Sequence, residues 1–226
     1  PFYVQSGIAF IGIPAAIALT EHAAKTRIKN SFANIMKIIQ YSLFTNKELC
    51  YNIMFSGVIG AATLTMAWFV QPLLIELDTP WFGIIWTILN LTVGISALYS
   101  DKLDQRLGSL RMYAFILFFI VGGYIAVAFN ISYVGLICLF FFYIVRGFAT
   151  PILKGDINQI TFSEMRATVL SIRNFVIRLM FAAMAPLVGC LHDLYSLSIA
   201  LQATAVIIFV PGLLFLILQW RYSKKV

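Results

Sequence analysis

TVLSIRNFVIRLMFAAMAPLVGC, residues Thr168 to Cys190, is long and apolar enough to span a bilayer, yet it carries Arg173 and Arg178. A span needs about 20 apolar residues at about 1.5 Å each. Arg178 lies about 11 residues past Ala167, where the run opens, a depth of about 16 Å in a hydrocarbon core about 30 Å thick. An arginine there costs about 2.5–3.5 kcal/mol on the insertion scale. Other parts of the protein are therefore expected to solvate it.

The rest of the chain reads as the walls that do so. Of 226 residues, 61% are hydrophobic and 11% charged, where a soluble domain carries about 25% charge. The mean hydropathy of +0.92 excludes a soluble enzyme and predicts an all-α integral membrane protein. Seven apolar runs predict seven transmembrane helices: Phe2–Leu19, Ile53–Ile75, Trp81–Tyr99, Met112–Phe129, Tyr133–Ile152, Ala167–Cys190 and Leu197–Trp220. They are continuous rather than alternating, which favours helices over a barrel. Residues 1–19 lack the basic leader and cleavage motif of a signal peptide.

The net charge of +7 is explained by topology and needs no nucleic acid. Lys25, Arg27, Lys29, Lys37 and Lys47 follow the first run; Lys102, Arg106 and Arg111 follow the third. Lys154 and Arg166 follow the fifth, and Arg221, Lys224 and Lys225 end the chain. The other connections hold Glu76, Asp78 and Asp193 instead. The basic side is expected to be cytoplasmic, which puts the N-terminus outside and the C-terminus inside a plasma or bacterial inner membrane. Only Arg146, Arg173 and Arg178 of the 16 basic residues fall within runs. Between the first two runs, Phe32, Ile35, Met36, Ile39 and Leu43 recur at helical spacing and predict an amphipathic helix on the inner membrane surface.

Thr168, Ser171, Asn174 and Arg178 share one helical face, continued by Ala182 and Ala185, and are expected to line a wet cavity. The competing reading of Arg178 is a structural cation bonded to neighbouring carbonyls. Arg173 points about 140° away and is shallow enough to snorkel outward. Asn90, at the middle of the third run, is expected to pair with another helix or a ligand. Trp68 and Gln71, beside Pro72, form a candidate outer gate, and Ser56, Gly57, Gly60 and Ala61 allow close helix approach. Arg146 lies about 6 residues from the expected inner end of its run and is read as snorkelling. Asp101, Lys102, Asp104, Arg106, Gly108 and Arg111 crowd a turn that forms a candidate latch at the cytoplasmic ends, with Asp101 capping the next helix or pairing with a base, and Gly108 making the tight turn. No Asp or Glu falls inside a run; Asp101, Asp104, Asp156 and Glu164 all read as cytoplasmic. A carboxylate proton relay would therefore have to come from outside this chain. Cys50, Cys138 and Cys190 have no metal-type spacing, and His22 and His192 lie in loops on opposite sides, so no cofactor, metal or catalytic cluster is expected.

The succession Arg146–Gly147, Pro151, Asn158, Arg166–Ala167–Thr168–Val169–Leu170–Ser171, then Pro186, Gly189 and Asp193 resembles the tenth and eleventh helices of major facilitator superfamily transporters. Asp101–Lys102 through Gly108 and Arg111 resemble that family's loop signature, with Ser109–Leu110 where a basic pair is usual. Glu21 resembles a glutamate-proline at the end of the sixth helix, with His22 in place of the proline. The resemblance implies the C-terminal half of such a transporter: residues 1–20 the last helix of an incomplete N-terminal bundle, 21–52 the central linker, and 53–226 the C-terminal six-helix bundle. It implies alternating access, with a solute bound between two halves at the midplane. Arg146 and Arg166 join the latch candidates on the same grounds. The missing N-terminal helical half is then an expected partner, and the chain alone is expected to be inactive. Arg178, with Asn174 and Asn90, favours an anionic or polar solute. A seven-helix receptor or retinal protein is the alternative from another class. The last run has no lysine for a Schiff base, and the long basic loop follows the first run, which speaks against it.

Overall fold

The computed structural model describes Phe10, Ile13, Pro14, Ile17 and residues 32–76 and 81–223. The first expected span lies largely outside the described residues, as do Lys25, Arg27, Lys29, Lys224 and Lys225. Residues 1–30 form one compact unit, in which Phe10, Ile13, Pro14 and Ile17 are helical; Ser31–Val226 forms the other.

In the larger unit the order is α1 (Phe32–Gln40), a π-helical turn (Tyr41–Thr45), α2 (Lys47–Glu76), α3 (Phe82–Ala97), α4 (Ser100–Leu107), α5 (Ser109–Phe129), α6 (Tyr133–Ile160), α7 (Arg166–Leu194) and α8 (Leu197–Ser223). No strand occurs among the described residues. Five helices, α2, α5, α6, α7 and α8, are long and apolar enough to cross a membrane. The 16-residue α3 joins them only together with α4, from which it bends by 51°. The described residues therefore hold five helices able by length and composition to cross a membrane, or six with the bent pair, compatible with a membrane protein.

Two expectations change here. The residues expected to form a turn after the third span, from Asp101, are instead the helix α4, whose last residue precedes Gly108. Gly108 does turn the chain, at φ +79°, a conformation that costs a residue with a Cβ. Asp101 is exposed in the first turn of α4 without capping it. Further on, α6 does not stop near Ile152 but runs to Ile160, carrying Lys154 and Asp156. Helix propensity and packing continue a helix where hydropathy falls, so the apolar window underestimates it.

Lys47, Lys102, Arg106, Arg111, Lys154 and Arg166 mark one end of the bundle, called the basic end below. α2 starts there and α6 finishes there. In the packing, α3, α6, α2 and α7 lie side by side in that order. Behind them α5 and α8 pack on each other and cover α6 and α2. Small residues set the closest approaches. A Cβ on Gly60 would fall 2.7 Å from Ile177 of α7, and one on Gly147 of α6 would fall 2.7 Å from the Val93 carbonyl oxygen of α3. The aromatic core is tied by polar handles: Tyr124 Oη donates to the Ala62 carbonyl at 2.6 Å, and Phe55 stacks on Tyr113 with centroids 4.9 Å apart.

Candidate functional site

Of the two arginines in the opening stretch, it is Arg173, expected to snorkel, that is buried. Arg173 is only 7% exposed. It shares the face of Val169, Ile172 and Val176 that packs on α2, where Ser56 is small enough to admit a guanidinium. Arg173 Nε donates to Ser56 Oγ at 2.5 Å and Nη1 donates to Asn174 Oδ1 at 3.2 Å. Snorkelling is thus ruled out for this residue: its chain follows the packed face and is held by Ser56 inside the bundle and by Asn174 at its edge.

Arg178 lies 12 residues, or about 18 Å, from the start of α7 and close to the middle of that 29-residue helix. It is exposed, on the face it shares with Ser171, Asn174 and Ala182, and it makes no hydrogen bond or ion pair among the described residues. The structural-cation alternative, bonding to a neighbouring helix's carbonyls, is therefore absent among those residues. On the same face Ser171 Oγ donates to the Ala167 carbonyl at 3.0 Å.

Asn90 behaves the same way. It is exposed on α3, and its Nδ2 donates to the Trp86 carbonyl of its own helix at 2.9 Å rather than to another helix. Thr87 and Thr92 also bond back one turn, at 2.7 and 2.8 Å. Trp68 and Gln71 are exposed on α2. Trp68 borders a groove of about 420 Å³ with Phe69, Pro72, Phe181, Ala185 and Gly189, an apolar wall that reaches α7 but not Arg178. The structure brings Arg178, Asn174 and Ser171 together; it does not bring Asn90 or Trp68 to them within the described residues.

Arg146 also changes place. Because α6 runs to Ile160, Arg146 stands 13 residues from its start and 14 from its end, at mid-height. It is half-buried, its guanidinium 5.2 Å from the Tyr143 ring centroid, so a cation–π contact rather than the surface holds it. The remaining latch candidates make no ion pair: among the described residues the one recorded is His192–Asp193 at 3.2 Å. Lys102, Arg106 and Arg111 are exposed, and Arg166 Nη2 donates to the Asn158 carbonyl at 3.1 Å, tying α7 to the end of α6.

A group missed by the sequence reading stands at the basic end. Asp156 of α6, 8% exposed, has its Oδ2 2.7 Å from Tyr113 Oη, and its Oδ1 accepts from Ser109 Oγ at 3.4 Å. Tyr113 Oη also meets Asn52 Oδ1 of α2. Gln219 Nε2 of α8 donates to Asn52 Oδ1 at 3.0 Å, and Asn52 Nδ2 donates to the Glu48 carbonyl at 3.0 Å. Four membrane-length helices thus meet at one polar chain. The available signal was the spacing Ser109–Tyr113, one helical turn, which puts two hydroxyls on one face. No group of three or more metal-ligating side chains occurs among the described residues. No family model, no curated protein and no solved structure matches this chain.

Proposed function

We propose that the chain is the six-helix half of a secondary transporter that moves a small anionic or polar solute by alternating access. The observation that carries this is the packing pattern. Exchanging α2 with α6, α3 with α7 and α5 with α8 maps the five most extensive packing pairs onto themselves: α2 packs on α7 and α8, α6 on α3 and α5, and α5 on α8, whereas the contact of α7 with α8 has no comparable counterpart between α3 and α5. The glycines follow the same exchange, Gly60 against α7 and Gly147 against α3. Since α2 leaves the basic end and α6 arrives there, the two three-helix units run in opposite senses. Inverted three-helix repeats are the building units of many transporters, whose substrate sites lie near the midplane.

Arg178 supports the same reading. A charge at mid-helix on an uncovered face is costly in lipid, so in the membrane this face borders water or further helices. A second six-helix half would cover it and leave Arg178 in the shared cavity. The solute class follows from that charge. Basic loops are cytoplasmic on this reading. Nothing observed favours a receptor or retinal protein: α8 contains no lysine.

The test is uptake into vesicles containing the natural full-length gene product, with a panel of labelled anionic and neutral solutes. Saturable uptake of an anionic solute, lost in Arg178→Ala but with normal membrane levels, is expected. Absence of saturable uptake for every solute in a correctly inserted protein overturns the reading.

A further inference from the structure

We propose that Asp156 is a proton-binding site, and that the arrangement at the basic end is its protonated form. The argument is a count of hydrogens. Asn52 is oriented by two bonds, its Nδ2 to the Glu48 carbonyl and its Oδ1 to Gln219 Nε2, both at 3.0 Å. Its oxygen is therefore what Tyr113 meets. On the other side Tyr113 meets Asp156 Oδ2 at 2.7 Å. A tyrosine hydroxyl has one hydrogen to donate. With Asp156 ionised, Tyr113 lies between two acceptors, and one of the two contacts sets oxygen against oxygen with no hydrogen between them.

One proton on Asp156 repairs this. Asp156 Oδ2–H donates to Tyr113 Oη, Tyr113 donates to Asn52 Oδ1, and Asn52 Nδ2 donates to Glu48. Every contact in the run then has its hydrogen. The step is proton uptake alone: the carboxylate takes H⁺ from water at the basic end and returns it there, with no change in any other bond.

The charges around the site agree. Asp104 of α4 adds a second negative charge, and one of its carboxylate oxygens is itself buried without a partner among the described residues. From α5 the facing groups are Tyr113 and Ser109; from α2 and α8 they are the neutral amides of Asn52 and Gln219. α3 carries no titratable side chain. Arg173 of α7 is engaged by Ser56 and Asn174, and Lys154 on α6 itself is exposed. Among the described residues no cation pairs with Asp156, and a buried carboxylate without one is unfavourable. Because the chain of bonds joins α2 and α5 of one unit to α6 and α8 of the other, releasing the proton loosens a tie between the units at this end. The site stands on hydrogen-bond geometry and not on the transport reading.

Infrared spectroscopy of the purified protein in lipid tests it. At neutral pH a carbonyl band of a neutral, buried carboxyl group is expected, shifted by ¹³C-labelled aspartate and fully lost in Asp156→Asn. Asp104→Asn should keep it. The wild-type spectrum and Asp104→Asn decide the matter even where Asp156→Asn does not fold. Lack of the band at neutral pH, its survival in Asp156→Asn, or its loss in Asp104→Asn each overturns the proposal. So does a site that is ionised and stabilised by added sodium, which would make the ligand a metal cation.

Discussion

Arg173 and Ser56, 117 residues apart in sequence, meet inside the bundle through a 2.5 Å hydrogen bond from Nε to Oγ. This bond pins α7 to α2 where both helices are otherwise apolar, beside the close approach at Gly57 and Gly60. Removing the acceptor leaves a buried charged donor without one of its partners, which costs about 1–3 kcal/mol. Ser56→Ala is therefore expected to lower stability by about that amount, read as a fall in thermal unfolding temperature of the purified protein. Ser56→Thr, which keeps the hydroxyl, should retain more of it. Equal stability of Ser56→Ala and wild type would show that the bond holds nothing.

Arg178 should behave in the opposite way. It is exposed and bonded to nothing among the described residues, so Arg178→Ala is expected to leave stability within about 0.5 kcal/mol of wild type. The contrast between Ser56→Ala and Arg178→Ala in one thermal assay separates a packing arginine from an open one. A loss above about 2 kcal/mol in Arg178→Ala would mean that the arginine is bonded after all.

Water along the α7 face is directly measurable. After replacement of Cys50, Cys138 and Cys190, single cysteines at Ser171, Asn174 and Ala182 should react with a membrane-impermeant thiol reagent. One at Val169 or Val176, buried against α2, should not. Equal protection of all five positions would put lipid or protein, not water, against the stripe.

The approach of α6 to α3 depends on Gly147. A methyl group there meets the Val93 carbonyl oxygen at 2.7 Å and the Ser96 side chain at 2.6 Å, and a backbone oxygen cannot rotate away. Gly147→Ala is expected to destabilise by about 1–3 kcal/mol, as overpacking does. Gly155→Ala, on the same helix with open space around it, is the control and should be neutral or slightly stabilising. If both substitutions behave alike, the helices are not in contact at Gly147.

What the sequence made legible was the element type and the alternation of basic and acidic connections, because both follow from composition over 20-residue windows. Depth and facing were harder to read. Arg146 reads as lying near an end because Lys154 and Asp156 lower hydropathy after Ile152, yet a helix continues through charged residues when tertiary contacts hold it. Asp156 reads as a loop acid for the same reason, which hides the polar chain to Tyr113 and Asn52. Arg173 reads as a snorkelling residue because its shallow position leaves the cytoplasmic surface within reach, yet it lies on the face that packs against α2. Periodicity identifies two faces, but only the position of α2 decides which is covered. Asn90 reads as needing another helix or a ligand, yet its own backbone at Trp86 supplies an acceptor.

The short helix α1 divides its apolar residues between two surfaces. Ile38 and Ile39, with Leu43 of the π-helical turn, pack on the cluster of Leu49, Ile53, Ile157, Val169, Ile172 and Val176 at the basic end. Phe32, Ile35 and Met36 stay exposed. The docked side fixes where the helix lies; the open side is the one an interfacial helix would bury in the headgroup region. The expectation of an amphipathic surface helix therefore turns on Phe32, Ile35 and Met36 rather than on all five residues of the original periodicity. With native tryptophans replaced, a tryptophan at Met36 should be quenched strongly by brominated lipid, and one at Lys37, off that face, weakly. Similar quenching at both positions would mean that the helix lies in no fixed orientation on the bilayer, and weak quenching at both that it stands clear of it.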